Sequence, residues 1–159
     1  MIKLVGILFI VGAASACGFE CSSMLTRRVR SLEAFVRLFD ALAGRISAFS
    51  TPINEFFASY SDETLEACGF LSRIGNGFCE AVNECSRALC LEDDDIKLLV
   101  AFGDGLGAMS ASEEAKRCLY YKDECDKSAA AARAELPVKT RLLKSAGVMC
   151  GVLAAVLVL

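Results

Sequence analysis

A chain of 159 residues with 17 Lys plus Arg against 20 Asp plus Glu, a net charge of −3 and 55% hydrophobic side chains suits one small domain and is too apolar for a disordered tail. It has no His, so it lacks a Ser-His or Cys-His nucleophile pair and any imidazole metal ligand, which excludes most hydrolase, transferase and zinc-enzyme chemistry. The slightly acidic balance supplies no basic face for nucleic acid.

The apolar excess lies at the two ends. Residues 4–19 carry no charge between Lys3 and Glu20, and residues 145–159 carry none after Lys144. At about 1.5 Å per helical residue each stretch covers roughly 22–24 Å, short of a ~30 Å hydrocarbon core but workable where flanking residues reach the interface. The pattern predicts transmembrane helices at 1–19 and 145–159 around a water-soluble middle, 20–144. Arg27, Arg28 and Arg30 follow the first span, and Lys139, Arg141 and Lys144 precede the second, which puts that middle in the cytosol. A cleavable or lipoprotein signal ending at Ala14-Ser15-Ala16 before Cys17 is the rival reading of the N-terminus, and the arginines favour an uncleaved anchor. A glycolipid-anchor signal fits the C-terminus less well, because no polar spacer precedes its apolar tail.

Between the ends the period is helical throughout. Leu25, Val29, Leu32, Val36, Phe39, Ala43 and Ile46 recur at steps of four and three, with Phe35, Leu38, Leu42 and Phe49 widening the stripe, so the first helix should run on to about residue 50. Ser50-Thr51-Pro52 predicts a cap followed by proline at a first helical position, opening a short helix with Ile53, Phe56, Phe57 and Tyr60. Ser61 is expected to cap a helix over 62–74 with Leu65, Cys68 and Leu71 inward, and Gly75-Asn76-Gly77 to form a turn. Helix 78–90 then presents Phe78, Val82, Cys85 and Leu89, and the acidic run Asp93, Asp94, Asp95 precedes Ile96, Leu98, Leu99, Phe102 and Leu106. Carboxylates at a helix start complement its dipole, which is preferred here to a metal site. Gly103, Gly105 and Gly107 follow helical spacing with no Lys-Ser or Lys-Thr, so they predict close packing, with Gly107 closing its helix at positive φ, and no phosphate loop. Ser110 to Glu113 has capping-box spacing and opens a long helix that Pro137 should kink or break.

Cysteines stand at 17, 21, 68, 79, 85, 90, 118, 125 and 150, an odd set with no Cys-x-x-Cys pair. Cys68, Cys85, Cys118 and Cys125 fall in helical patterns and read as reduced, buried small hydrophobes rather than a secreted disulfide framework. No cofactor or metal is expected. The polar faces of the middle helices are the candidate partner-docking surface: Arg73, Glu80, Glu84, Arg87 and the run Asp93, Asp94, Asp95 offer both signs of charge for orienting a partner, and equally suit a solvated face.

Several segments, in order, resemble one family. Lys3, Gly6, the apolar run ending Gly18-Phe19 and the Arg-rich helix after it are similar to the start of stage III sporulation protein AB of endospore-forming bacteria. Thr51-Pro52 with Glu55 looks like its Thr-Pro segment, Phe102-Gly103 and Leu106-Gly107 match its Phe-Gly-x-x-Leu-Gly element, and Lys144-Ser145-x-Gly147 with Gly151 resembles its C-terminus. The chain departs from the family pattern at Ser110 and Glu114, where the family tends to have Asp and Gln. The resemblance implies an all-α cytosolic bundle like the platform-protein domain of type II secretion machines, flanked by the two transmembrane helices. It further implies a non-enzymatic scaffold in the mother-cell membrane around the forespore, with the ATPase stage III sporulation protein AA and other products of that operon as partners, and homo-oligomers possible in such an assembly. The alternatives are a generic two-span structural or regulatory membrane protein, or a secreted or lipid-anchored cysteine-rich helical protein.

Overall fold

The computed structural model describes residues 2–49 and 52–158, and the side chains of 1–11, 14, 15, 17, 18, 49–51, 147, 148 and 150–159 lie outside the description. The described elements are helical: α1 Ile2–Phe49, α2 Ile53–Ser59, α3 Glu63–Ala67, α4 Phe70–Arg73, a 3-10 turn Ile74–Asn76, α5 Phe78–Leu89, α6 Asp93–Gly103 and α7 Ala111–Val158. No strand occurs among the described residues, so the chain is all-α as its period predicts. It divides into two compact units, one of Arg28–Ala131 and the other of Met1–Arg27 with Ala132–Leu159.

Among the described residues no helix is long and apolar enough to cross a membrane. The spans expected at 1–19 and 145–159 fall largely on side chains outside the description. Within the unit that contains both ends, Lys144 Nζ stands 5.0 Å from the centre of the Phe19 ring.

The other unit is built on the apolar stripe of α1. Leu32, Phe35, Leu38, Phe39 and Leu42 are fully buried, while Val36 is only partly covered and Leu25 is intermediate, so the deepest line lies on the widened side of the predicted stripe. Phenylalanines converge there from four helices. Phe35 meets Phe70 edge-on at 5.2 Å, Phe78 meets Phe102 at 5.2 Å, and Phe39 meets Phe102 at 4.5 Å. Such pairs add about 0.5–1.5 kcal/mol each beyond the area they bury. Cys85, Cys118 and Cys125 fill buried positions as free thiols, and Cys68 is half-buried.

Several helix boundaries differ from expectation, each for a local reason. Pro52 occupies the cap of α2 rather than its first turn, with extended backbone, and its carbonyl accepts from the Glu55 and Phe56 amides. Thr51 lies outside the description. Asp62, not Ser61, caps α3: its Oδ1 accepts from the Thr64 and Leu65 amides at 3.0 and 3.2 Å, and its Oδ2 takes Arg37 from α1 at 2.7 Å. The helix expected over 62–74 is broken at Gly69, whose φ of +76° an L side chain rarely adopts. α6 ends at Gly103, and Gly107, with φ +83°, turns the following loop rather than closing the helix. Ser110 opens α7 as expected, its amide donating to the Glu113 carboxylate at 3.2 Å, though its hydroxyl also donates to that carboxylate instead of capping an amide. The break expected at Pro137 does not occur, α7 running from Ala111 to Val158 with the proline inside it. One proline removes a single hydrogen bond, which the turns on either side outweigh in a helix of 48 residues.

Candidate functional site

The candidate docking residues divide into an outer set and one buried exception. On α5 the apolar residues Phe78, Ala81, Val82, Cys85 and Leu89 face inward, which leaves Glu80, Glu84 and Arg87 exposed along the opposite face at steps of four and three. Glu84 is already engaged, because Arg73 Nε pairs with its Oε2 at 3.0 Å across the α4–α5 junction. Asp93 and Asp94 are exposed in the first turn of α6, where Asp94 pairs with Lys97 at 2.9 Å. Glu80, Arg87 and Asp93 therefore remain the exposed charges of this face to which no ion pair is assigned.

Asp95 does not belong to that surface. It is 2% exposed and is the hub of a network joining α1, α6 and α7. Arg28 grips it with two bonds, Nε to Oδ2 at 2.7 Å and Nη2 to Oδ1 at 3.2 Å, while Arg28 Nη1 pairs with Glu92 at 2.5 Å. Ser128 Oγ donates to Oδ1 at 2.7 Å, and the Glu92 amide donates to Oδ2 at 3.1 Å, completing a capping box with Glu92. Burial alone would raise the Asp95 carboxyl. The hydrogen bonds from Arg28, Ser128 and Glu92 outweigh it and hold the group below the usual carboxylate value. Sequence reasoning placed Arg28 among the topology-setting arginines and Asp95 in a solvated run. Their spacing carried the signal: Arg28 lies on the stripe of Leu25 and Leu32, and Asp95 lies four and seven residues before the buried Leu99 and Phe102.

Four of the residues that carry the family resemblance also converge. Pro52, Gly103, Leu106 and Gly107 line one cleft of about 730 Å³, together with Phe57 and Glu114. Phe102 packs behind it in the core. Gly103 is required by close approach, since a Cβ there would lie 2.5 Å from Cys79 Sγ and 2.9 Å from a Phe78 ring carbon. Glu114, at one of the positions where the chain departs from the family pattern, is 2% exposed. Neither of its carboxylate oxygens has a hydrogen-bond partner, and its compensation is the Arg117 guanidinium at 3.6 Å. Arg117 in turn donates to the carbonyls of Ala101 and Phe102 at the end of α6 and lies over the Phe102 ring. This set ties the end of α6 to the first turns of α7. Burial beside Glu114 pushes the Cys118 thiol up to about 12, so it is an inert packing group.

No group of three or more metal-ligating side chains occurs among the described residues. The arrangement therefore offers a charged face for contact and a glycine-lined cleft. No solved structure matches the chain. A curated relative, stage III sporulation protein AB of Bacillus subtilis (strain 168), is 22% identical over 177 residues, covering 100% of both chains. The family pattern described as stage III sporulation protein AB matches residues 3–159, end to end through the helices and the cleft motif, and the chain belongs to that family.

Proposed function

We propose that the chain is a non-enzymatic platform of a sporulation channel complex, held in the mother-cell membrane around the forespore by helices at its two ends, with its helical bundle docking the ATPase stage III sporulation protein AA. The observation that carries the reading is the family match over nearly the whole chain, which supports a sporulation role. The exposed, mixed-sign face of α5 next to the acidic start of α6 supports docking there, because complementary rim charges orient a partner during encounter.

The test is capture of the purified ATPase by the detergent-solubilised full chain, comparing wild type with Glu80→Lys/Arg87→Glu, a pair that disturbs no assigned ion pair. Association should slow by about tenfold at low salt, with the difference shrinking as salt rises. Unchanged association by a folded variant moves the docking site off this face. ATP hydrolysis that copurifies with the wild-type chain itself through successive columns overturns the non-enzymatic reading.

A further inference from the structure

Among the free thiols, Cys68 and Cys85 form a close pair. Cys85 Sγ donates to the Cys68 carbonyl at 3.5 Å, which brings the two residues together. Cys68 ends α3 immediately before the positive-φ turn at Gly69, while Cys85 sits on the inner face of α5. Arg73 is fixed beside them. Its Nη1 lies 3.7 Å from Cys85 Sγ and 3.1 Å from the Gly69 carbonyl, and its Nε is paired with Glu84. Cys68 is half-buried, whereas Cys85 is 2% exposed. A reachable thiol, a sheltered second thiol and a fixed cation are the arrangement of a reacting cysteine with its resolving partner.

We infer that Cys68 and Cys85 are a redox-active dithiol, oxidised to an intramolecular disulfide by a small-molecule disulfide of the glutathione class. Cys68, the reachable member, attacks one sulfur of the small disulfide. The first small thiol leaves with the proton, and a mixed disulfide remains on Cys68. Cys85 then attacks the Cys68 sulfur, and the second small thiol leaves with the Cys85 proton. Two protein thiols are oxidised and one small disulfide is reduced to two thiols, so the exchange balances without another reactant.

Burial holds the Cys68 thiol above its ordinary value, which makes the first step slow. The second step is intramolecular, and Arg73 Nη1, 3.7 Å from Cys85 Sγ, holds a donor beside the attacking sulfur. Closure requires the Cys68 thiol to leave the Leu65 carbonyl, to which it donates at 3.2 Å. The product staples the end of α3 to α5 across the Gly69 turn.

The test equilibrates the purified full chain with mixtures of oxidised and reduced glutathione, traps free thiols with N-ethylmaleimide and maps linkages by peptide mass spectrometry. Cys68–Cys85 should be the dominant internal bridge in the folded chain and one among many in denaturant. Cys85→Ser should leave glutathione on Cys68. Arg73→Ala should raise the transient Cys68 mixed disulfide several-fold, and Arg73→Lys should restore wild-type closure. A folded chain that collects glutathione at Cys21 or Cys90 without bridging 68 to 85, or that bridges cysteines at random, overturns the inference. If closure proceeds equally fast in Arg73→Ala, the role given to the guanidinium is wrong.

Discussion

Removing the Arg28 side chain is the most demanding test of how the bundle is held. Asp95 is 2% exposed and receives four hydrogen bonds, two of them from Arg28. Arg28→Ala leaves that carboxylate with Ser128 and the Glu92 amide alone, and breaking a buried pair from one side costs about 3–5 kcal/mol. The Arg28 side chain is itself 13% exposed, so the lower end, about 3 kcal/mol, is expected. Asp95→Ala should cost less, about 2 kcal/mol, because the stranded guanidinium keeps Glu92 at 2.5 Å. The double variant should therefore be milder than the two losses added, with a coupling of at least about 1 kcal/mol. Thermal unfolding of the detergent-solubilised chain reads this as a fall in Tm of roughly 6–12 °C for Arg28→Ala. A loss under about 0.5 kcal/mol, or strict additivity in the double variant, refutes the network as a stabilising link.

The same carboxylate sets a pH dependence. Its folded pKa lies below the unfolded value, so its contribution is present above about pH 4 and lost as pH falls through the folded value; the gap in unfolding free energy between wild type and Asp95→Asn should be flat from neutral pH to about 5 and close below 4. Gly103→Ala should destabilise by about 1–3 kcal/mol through the contact with Cys79 and Phe78, and Cys79→Ala should restore part of that by removing the nearest atom, as chemical denaturation of the single and double variants will show. Gly107→Val should lower stability by more than about 1 kcal/mol because of φ +83° rather than crowding, Ile53 Cδ1 being at an ordinary 3.5 Å; an unchanged Tm removes that assignment.

What the sequence determined by itself was local and periodic. Apolar residues at steps of three and four announce α1, α5 and α6, and Ser110 with Glu113 marks the start of α7, because helix periodicity and capping depend on neighbours within a few positions. The ordered motif segments likewise sufficed to point to the family before any fold was known. Tertiary structure decided the rest. Asp93, Asp94 and Asp95 are chemically identical in the chain, and only the approach of Arg28 and Ser128, 67 and 33 residues away, makes one of them a buried hub and leaves the others in water. Gly69 and Gly103 both fall within helical patterns, yet one breaks its helix at positive φ and the other ends its helix where the backbone presses on Cys79. Pro52, Gly103, Leu106, Gly107 and Glu114 became the walls of one cleft, and Cys68 met Cys85, because chain closure brings distant segments together at places that no local spacing encodes.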